Sequence, residues 1–357
     1  MRRKLTDLCS IQYGYAFDSD DFSSDESYPP LVRIRDVKRG YSETFYSGAY
    51  PSEYIIHSGD LLVGMDGEFN IARWKSRDAL LNQRVCKITA KEGTYEDYLR
   101  FSLQKALKEI EERTAFVTVK HLSAKELNKL ELDTPDFNEQ ERIANILCKL
   151  ELIITKRENE LSAFDDLIKA RFVEMFGDPF NNPMGWEQVR FDALAENLDN
   201  RRIPITSTER QSGIYPYYGA SGIVDYVDDY LFDEDILLIS EDGANLLMRS
   251  TPIAFSVSGK VWVNNHAHVV RFKELATQKY VEIAFSLLDI SESITGSAQP
   301  KLNQAKLNAM MFCNPPLDLQ RKFYSFVAQI EITKTAIQKS LDKTQLLFDS
   351  LMQKYFG

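Results

Sequence analysis

Shifted by 180 positions, this 357-residue sequence falls on itself. Leu122 lands on Leu302, Leu127 on Leu307, Pro135 on Pro315, Gln140 on Gln320 and Glu151 on Glu331. Thr155 lands on Thr335, Leu161 on Leu341, Leu167 on Leu347, and Phe176-Gly177 on Phe356-Gly357. The register holds without a gap from about 120 to 177. Chance does not keep one offset over that span, so the chain is built from two copies of one unit.

The second part of each unit reads as a long helix. Apolar residues in the first copy run Ile143, Leu147, Leu150, Ile154, Leu161, Phe164, Ile168 and Met175. The second copy runs Phe323, Val327, Ile330, Ile337, Leu341, Phe348, Leu351 and Tyr355. Alternating steps of four and three are the a/d rule of a coiled coil. Arg157, Arg171 and Lys334 interrupt the stripes. Pro135 and Pro315 stand ahead of the helix starts, and Asn138 and Asp318 are expected as N-caps, with Asn138 and Glu141 spaced like a capping box. A helix of about 37 residues is roughly 55 Å long. Neither stripe can be buried alone, so the two copies are expected to pack on each other, antiparallel, with globular parts at opposite ends.

The first part of each unit is globular and mixed. "GDLLVGMDG" (59–67) matches "EDILLISEDG" (234–243) as a buried strand with flanking acids ending in Asp-Gly. "LNQRVCKI" resembles "NNHAHVVRF", and "YEDYLRFSLQKAL" and "QKYVEIAFSLL" both read as helix. The loops differ. Tyr13, Tyr15, Arg33, Arg35, Lys38 and Arg39 have no counterpart in the second copy, which carries "GIYPYYGASGIVDYVDDY" instead. A repeated frame with an unrepeated surface suits one scaffold recognising two different things. The expected fold is α+β: two mixed α/β domains separated by two long antiparallel coiled-coil helices, with pseudo-two-fold repeat. The boundaries are 1–135, 136–177 for the first helix, 178–315, and 316–357 for the second helix.

Charge sets limits on partners. The total is −10, but 1–135 holds 20 basic and 22 acidic residues, whereas 178–315 holds 11 and 18. Net charge governs long-range attraction, not what a local patch touches. A DNA-binding role therefore needs locally basic loops or a partner that supplies positive charge. The four cysteines are scattered, with no CxxC pair, which fits a reducing compartment. There is no signal-like stretch and no apolar run near 18 residues, so a cytoplasmic protein that does not span a membrane is expected.

The whole arrangement resembles the specificity (S) subunit of type I restriction-modification enzymes. The likeness rests on "TPDFNEQERIANIL", "FVEMFGDPFNNPMGW", "YPYYGASGIVDY", "NNHAHVVRF" and the repeat itself. It implies two target-recognition domains, each reading one half of a split, asymmetric site on double-stranded DNA. It implies that the helices set the spacing and dock two methyltransferase (M) subunits. Restriction (R) subunits would join for ATP-driven cleavage. The chain itself would be non-catalytic and bind no cofactor, with S-adenosylmethionine, ATP and Mg on partner subunits. This sequence departs from the resemblance in its second helix start, "PPLDLQRKF", where Leu319 stands opposite Glu139.

Two other classes are weighed against that reading. A self-contained adenine methyltransferase would use an (N/D/S)PP(Y/F/W) motif to hold a flipped base. "NPPL" at 314–317 lacks the ring, and its aligned partner "TPDF" also precedes a helix, so it reads as a proline-marked helix start. A coiled-coil interaction scaffold is the second alternative. His266 and His268, two apart, would share a strand face; packing or polar contact is expected there rather than metal, and His57 and His121 lie in unrelated segments. No GxxxxGK(S/T) loop occurs.

DNA contacts are expected from loop donors, since Arg and Lys suit guanine and Asn and Gln suit adenine. In the first domain these are Arg33, Arg35, Lys38, Arg39, Asn70, Arg73, Lys75, Arg77 and Lys120. In the second they are Tyr217, Tyr218, Ser221, Asn245, Arg249, Gln299 and Lys301. Loops carry function on a rigid frame.

Overall fold

The structure is a computed structural model, which describes residues 1–113, 121–296 and 299–357. Residue contacts divide it into two compact units, Met1–Arg157 with Lys339–Gly357, and Glu158–Gln338.

The apolar runs seen in sequence are central strands buried on both faces. In the first unit a four-stranded antiparallel sheet has the order Cys9–Tyr13, Val85–Ala90, Leu61–Gly64, Ile71–Arg73. Cys86 sits between Tyr13 and Val63 in the ladder. Side chains alternate across a strand, so Leu61 and Val63 enter one core with Leu99 and Leu103 of the Glu96–Arg113 helix. Leu62 enters a second core with Val32, Val37 and Trp74.

The second unit repeats this frame. Its sheet runs Ala195–Asn197, Ala267–Phe272, Ile236–Ser240, Ala254–Val257, again antiparallel. Leu237 and Ile239 face the core with Tyr280, Val281 and Phe285 of the Leu275–Leu287 helix. Ile236 and Leu238 face Phe232, Val261 and Val263. In both units a short helix follows, Ala124–Lys129 or Gln304–Ala309. Then a three-residue strand pairs back onto the start of the domain: Glu131–Asp133 on Arg2–Lys4, and Met311–Cys313 on Gln188–Arg190.

Two 40-residue helices complete the repeat, Phe137–Phe176 and Leu317–Phe356, each about 60 Å long. In the first unit, Ile143, Ala144 and Leu147 of the one pack with Phe348 and Met352 of the other, beside Tyr98 and Phe101. In the second unit, Ile168, Phe172 and Phe176 pack with Phe323, Val327 and Ile330. Early residues of one helix meet late residues of the other, so the pair is antiparallel. The polar interruptions are used. Lys334 Nζ lies 2.6 Å from Asp165 on the facing helix, and the Arg171 guanidinium sits over the Phe326 ring.

The helix starts differ from the sequence expectation. The first begins at Phe137, and the cap is Asp136, whose Oδ1 accepts from Glu139 N at 3.0 Å. Asn138 lies inside the first turn. The second helix begins at Leu317, so Asp318 also lies inside the helix, beside Arg321 at 3.6 Å. The buried repeat pair Gln140 and Gln320 instead ties each start to its proline, donating to Pro135 O (2.9 Å) and Pro315 O (2.7 Å). The first helix ends as a glycine-stopped helix should. Gly177 has φ +79, and Trp186 Nε1 donates to Phe176 O at 2.9 Å.

Candidate nucleic-acid interface

The sequence-derived contact residues separate into those free to meet a ligand and those the fold uses. In the first domain the helix Ile34–Arg39 follows Arg33 and stops at Gly40, whose φ is +79. Arg33, Arg35, Lys38 and Arg39 are all exposed on it. Lys75 joins them, because its backbone N–H donates to Gly40 O and its side-chain carbons pack where a Gly40 Cβ would stand. Arg35 lies 3.7 Å from the buried Asp36, and the other acidic neighbours are distant exposed pairs, Glu68 at 3.9 Å from Lys38 and Glu43 at 3.7 Å from Arg39. Exposed pairs of this kind hold a side chain weakly.

Other residues are committed. Arg73 donates to Glu96 (2.7 Å), Asp97 (2.9 Å) and Gly59 O, which ties its strand to the helix behind it. Arg77 donates to the carbonyls of Glu26 and Tyr28. Asn70 donates to Glu68 O, and its own Oδ1 is buried. Arg249 donates to Phe285 O (2.7 Å) and Leu288 O (2.8 Å), closing the end of a helix. The Asn245 amide closes its own turn against Ser250 and Thr251. Tyr217 is 1% exposed, and its hydroxyl is satisfied by the Ile205 backbone. Arg73, Arg249, Asn245 and Tyr217 thus serve the scaffold; residue type alone says nothing about the partner the fold supplies. Tyr218 is half-buried beside Phe255. Ser221 is exposed in the hairpin turn, and Gln299 and Lys301 are exposed. Lys120 lies outside the described residues.

The frame gathers charge at one corner of each domain. In the first, Met65 N donates to Arg84 O (2.8 Å) and Leu122 N donates to Met65 O (2.7 Å). In the second, Glu241 N donates to His266 O (2.9 Å) and Leu302 N to Glu241 O (2.8 Å). The same two bonds therefore bring three segments together in each copy. Asp66, Arg84 and His121 meet in the first: Arg84 Nε is 3.6 Å from Asp66, and the His121 ring contacts both. Asp242, His266 and Lys301 occupy the equivalent places in the second. There the His266 Nδ1 lies 2.9 Å from Asp242, and Asp242 and Lys301 share a backbone bridge.

The second corner rests on a buried polar network. Lys301 Nζ is 3.1 Å from Glu241, which Arg202 also engages at 2.7 Å. His268 is 1% exposed; its Nδ1 is 2.6 Å from Asp199 and its Nε2 is 2.7 Å from Leu302 O. Both partners are acceptors, so the ring donates twice. Burial by itself would raise the Asp199 carboxyl, but His268, the Val269 N–H and Arg202 outweigh it and hold it below the usual carboxylate range. Glu241 is held low in the same way, against its burial, by Arg202, His268 and Lys301. Asp199, Glu241 and His268 lie close enough to surround a cation. Arg202 and Lys301 already balance those carboxylates, so the group is an ion-pair network. The two histidines do not share a face: the strand begins at Ala267, leaving His266 exposed in the turn before it.

Asp66, Arg84, His121, Asp242 and His266 are not legible in sequence as companions; the one usable signal is the Asp-Gly pair recurring after each buried strand.

A family model described as "Type I restriction modification DNA specificity domain" matches residues 1–163 and again 183–345. The chain belongs to this family. Each match covers one globular part and most of the long helix that follows it. Among curated relatives, the "Type I restriction enzyme EcoBI specificity subunit" of Escherichia coli is 35% identical over 206 residues, 57% of this chain and 44% of that protein. A putative type I specificity subunit of Haemophilus influenzae is 37% identical over 129 residues, 36% of this chain and 33% of that protein. The matches thus span less than half the length of these two relatives. In fold, the chain is similar to the S subunit of a type I restriction-modification system from M. genitalium (TM-score 0.65, 15% identity), over 100% of this chain and 96% of that one. Among the described residues no helix is long and apolar enough to cross a membrane.

Proposed function

We propose that this chain is the DNA sequence-recognition subunit of a type I restriction-modification system. Each globular domain binds one half of a bipartite, asymmetric site on double-stranded DNA, and the paired helices fix the distance between the halves. One observation carries this reading: two copies of one frame present different chemistry at the same loops. B-DNA repeats every ~34 Å, so two readers on a rigid spacer favour half-sites at one separation.

The chain recognises and does not catalyse; M subunits methylate adenine, and R subunits add ATP-dependent cleavage. The long helices carry exposed apolar residues at repeat-equivalent positions, Leu152 with Ile332 and Leu167 with Leu347. Equivalent apolar patches suit two copies of one partner, and we assign them to two M subunits. The total charge of −10 fits a subunit whose partners supply much of the phosphate-neutralising charge. Titration of labelled duplex tests this. The chain alone should bind weakly, and the chain with M subunits strongly and with steep salt dependence. Equal affinity with and without M subunits would sink the idea. S-adenosylmethionine binding to the isolated chain would favour a self-contained methyltransferase instead.

A further inference from the structure

The Asp-Gly corners recur in both domains. Their glycines, Gly67 and Gly243, have φ +71 and +109, and a Cβ at either would meet nothing within 4 Å. The backbone there is open to close approach. Beside each glycine stand a carboxylate and two nitrogen-bearing side chains, drawn from the same three segments. The frame keeps the arrangement while the residues change: Arg84 and His121 in one copy, His266 and Lys301 in the other.

Backbone strain marks Arg84 independently. Among the described residues three non-glycines have positive φ: Arg84 (+71), Asn182 (+45) and Arg249 (+52). Asn tolerates that region, and the Arg249 side chain uses it to bind two helix-end carbonyls. Arg84 has no such packing role. Its side chain is 51% exposed and leans on Asp66 and His121. A glycine would sit there more easily, so keeping Arg points to work done by the guanidinium.

We propose that these corners are DNA contacts: Arg84 in the first domain and Lys301 in the second each donate hydrogen bonds to an acceptor oxygen or nitrogen of the duplex. Asp66 and Asp242 are positioning residues. Asp66 pairs with the Arg84 guanidinium at 3.6 Å, and Asp242 holds the His266 ring at 2.9 Å beside Lys301. Lys301 is aimed by Glu241, and Glu241 by the half-buried Arg202. The recognised atom is an acceptor, either a phosphate oxygen or the O6/N7 edge of guanine. This rests on the DNA-recognition reading above and names the residues that serve it.

The test uses the chain assembled with its M subunits. Arg84→Gly deletes the guanidinium and relieves the backbone, so its unfolding midpoint should not fall while DNA affinity drops about 5- to 100-fold. Lys301→Ala should lower affinity for the second half-site by a similar factor. Arg84→Lys separates the two sources. If the acceptor is a phosphate, Lys restores most binding, and Arg84→Gly lowers the salt slope by about one with no change in sequence preference. If it is a guanine edge, Lys, which lacks the bidentate fork, restores binding only in part and one half of the preferred motif relaxes. Wild-type affinity and motif in both Arg84→Gly and Lys301→Ala would overturn the corner assignment while leaving the DNA-recognition reading intact. Failure of the unaltered complex to bind any duplex specifically would overturn both.

Discussion

Replacing His268 by Leu should cost the second domain about 3–5 kcal/mol, the range for removing one partner of a buried ion pair. His268 is enclosed and donates to Asp199 (2.6 Å) and Leu302 O (2.7 Å). Leucine fills much of the space but leaves both acceptors without that donor. Asp199 keeps the Val269 N–H at 2.8 Å and Arg202 at 3.5 Å, which softens the loss and sets its lower end. Urea unfolding followed by tryptophan fluorescence measures it. The coupling is tested by a double-mutant cycle with Asp199→Asn, which removes the charge His268 serves. Because the two residues share one interaction, the double variant should be less destabilised than the sum of the singles, by about 1–3 kcal/mol. A loss below 1 kcal/mol for His268→Leu, or strict additivity, would refute the claim that this network braces the Lys301 loop.

Phe172→Ala empties a site ringed by Phe176, Tyr280 and Phe323 at 5.0–5.6 Å; a cost of about 3–5 kcal/mol in the same urea assay is expected, with Phe172→Leu much milder. Acid should weaken the second domain. Asp199 and Glu241 titrate below the usual carboxylate range when folded. The stability they lend is therefore complete above the ordinary carboxyl value of about 4 and drains as pH falls through the lowered values. Urea midpoints taken from pH 7 to pH 3 should drop steeply only below about 4, and less so in Asp199→Asn. Charging the helix patches, as in Leu152→Glu with Ile332→Glu, should weaken M-subunit association about tenfold or more by sedimentation or calorimetry while leaving the fold's melting point nearly unchanged.

The long helices and the repeat were legible because a heptad stripe and an ungapped offset survive in one dimension. The central strands were legible as continuous apolar runs, Leu61–Gly64 and Ile236–Ser240, since both faces are buried. Helix starts were misread because Asp136 and Asn138 are both good caps, and only the backbone decides which one reaches Glu139 N. The site was legible in part. The exposed cations of 33–39 follow from a polar, basic stretch, whereas Arg73 and Arg249 looked equally available and are consumed by partners far off in sequence. The corners could not be seen at all as groups, because Asp66, Arg84 and His121 come together only when the sheet closes.

The central claim is that two readers on one frame recognise two half-sites. Its most direct test is long-read detection of methylated adenines in cells carrying the complete system, before and after residues 178–315 are exchanged for those of a family member with a different motif. The account predicts that one half of the methylated motif changes while the other half and the spacing between them persist. A motif that does not change, or one in which both halves change together, would contradict it.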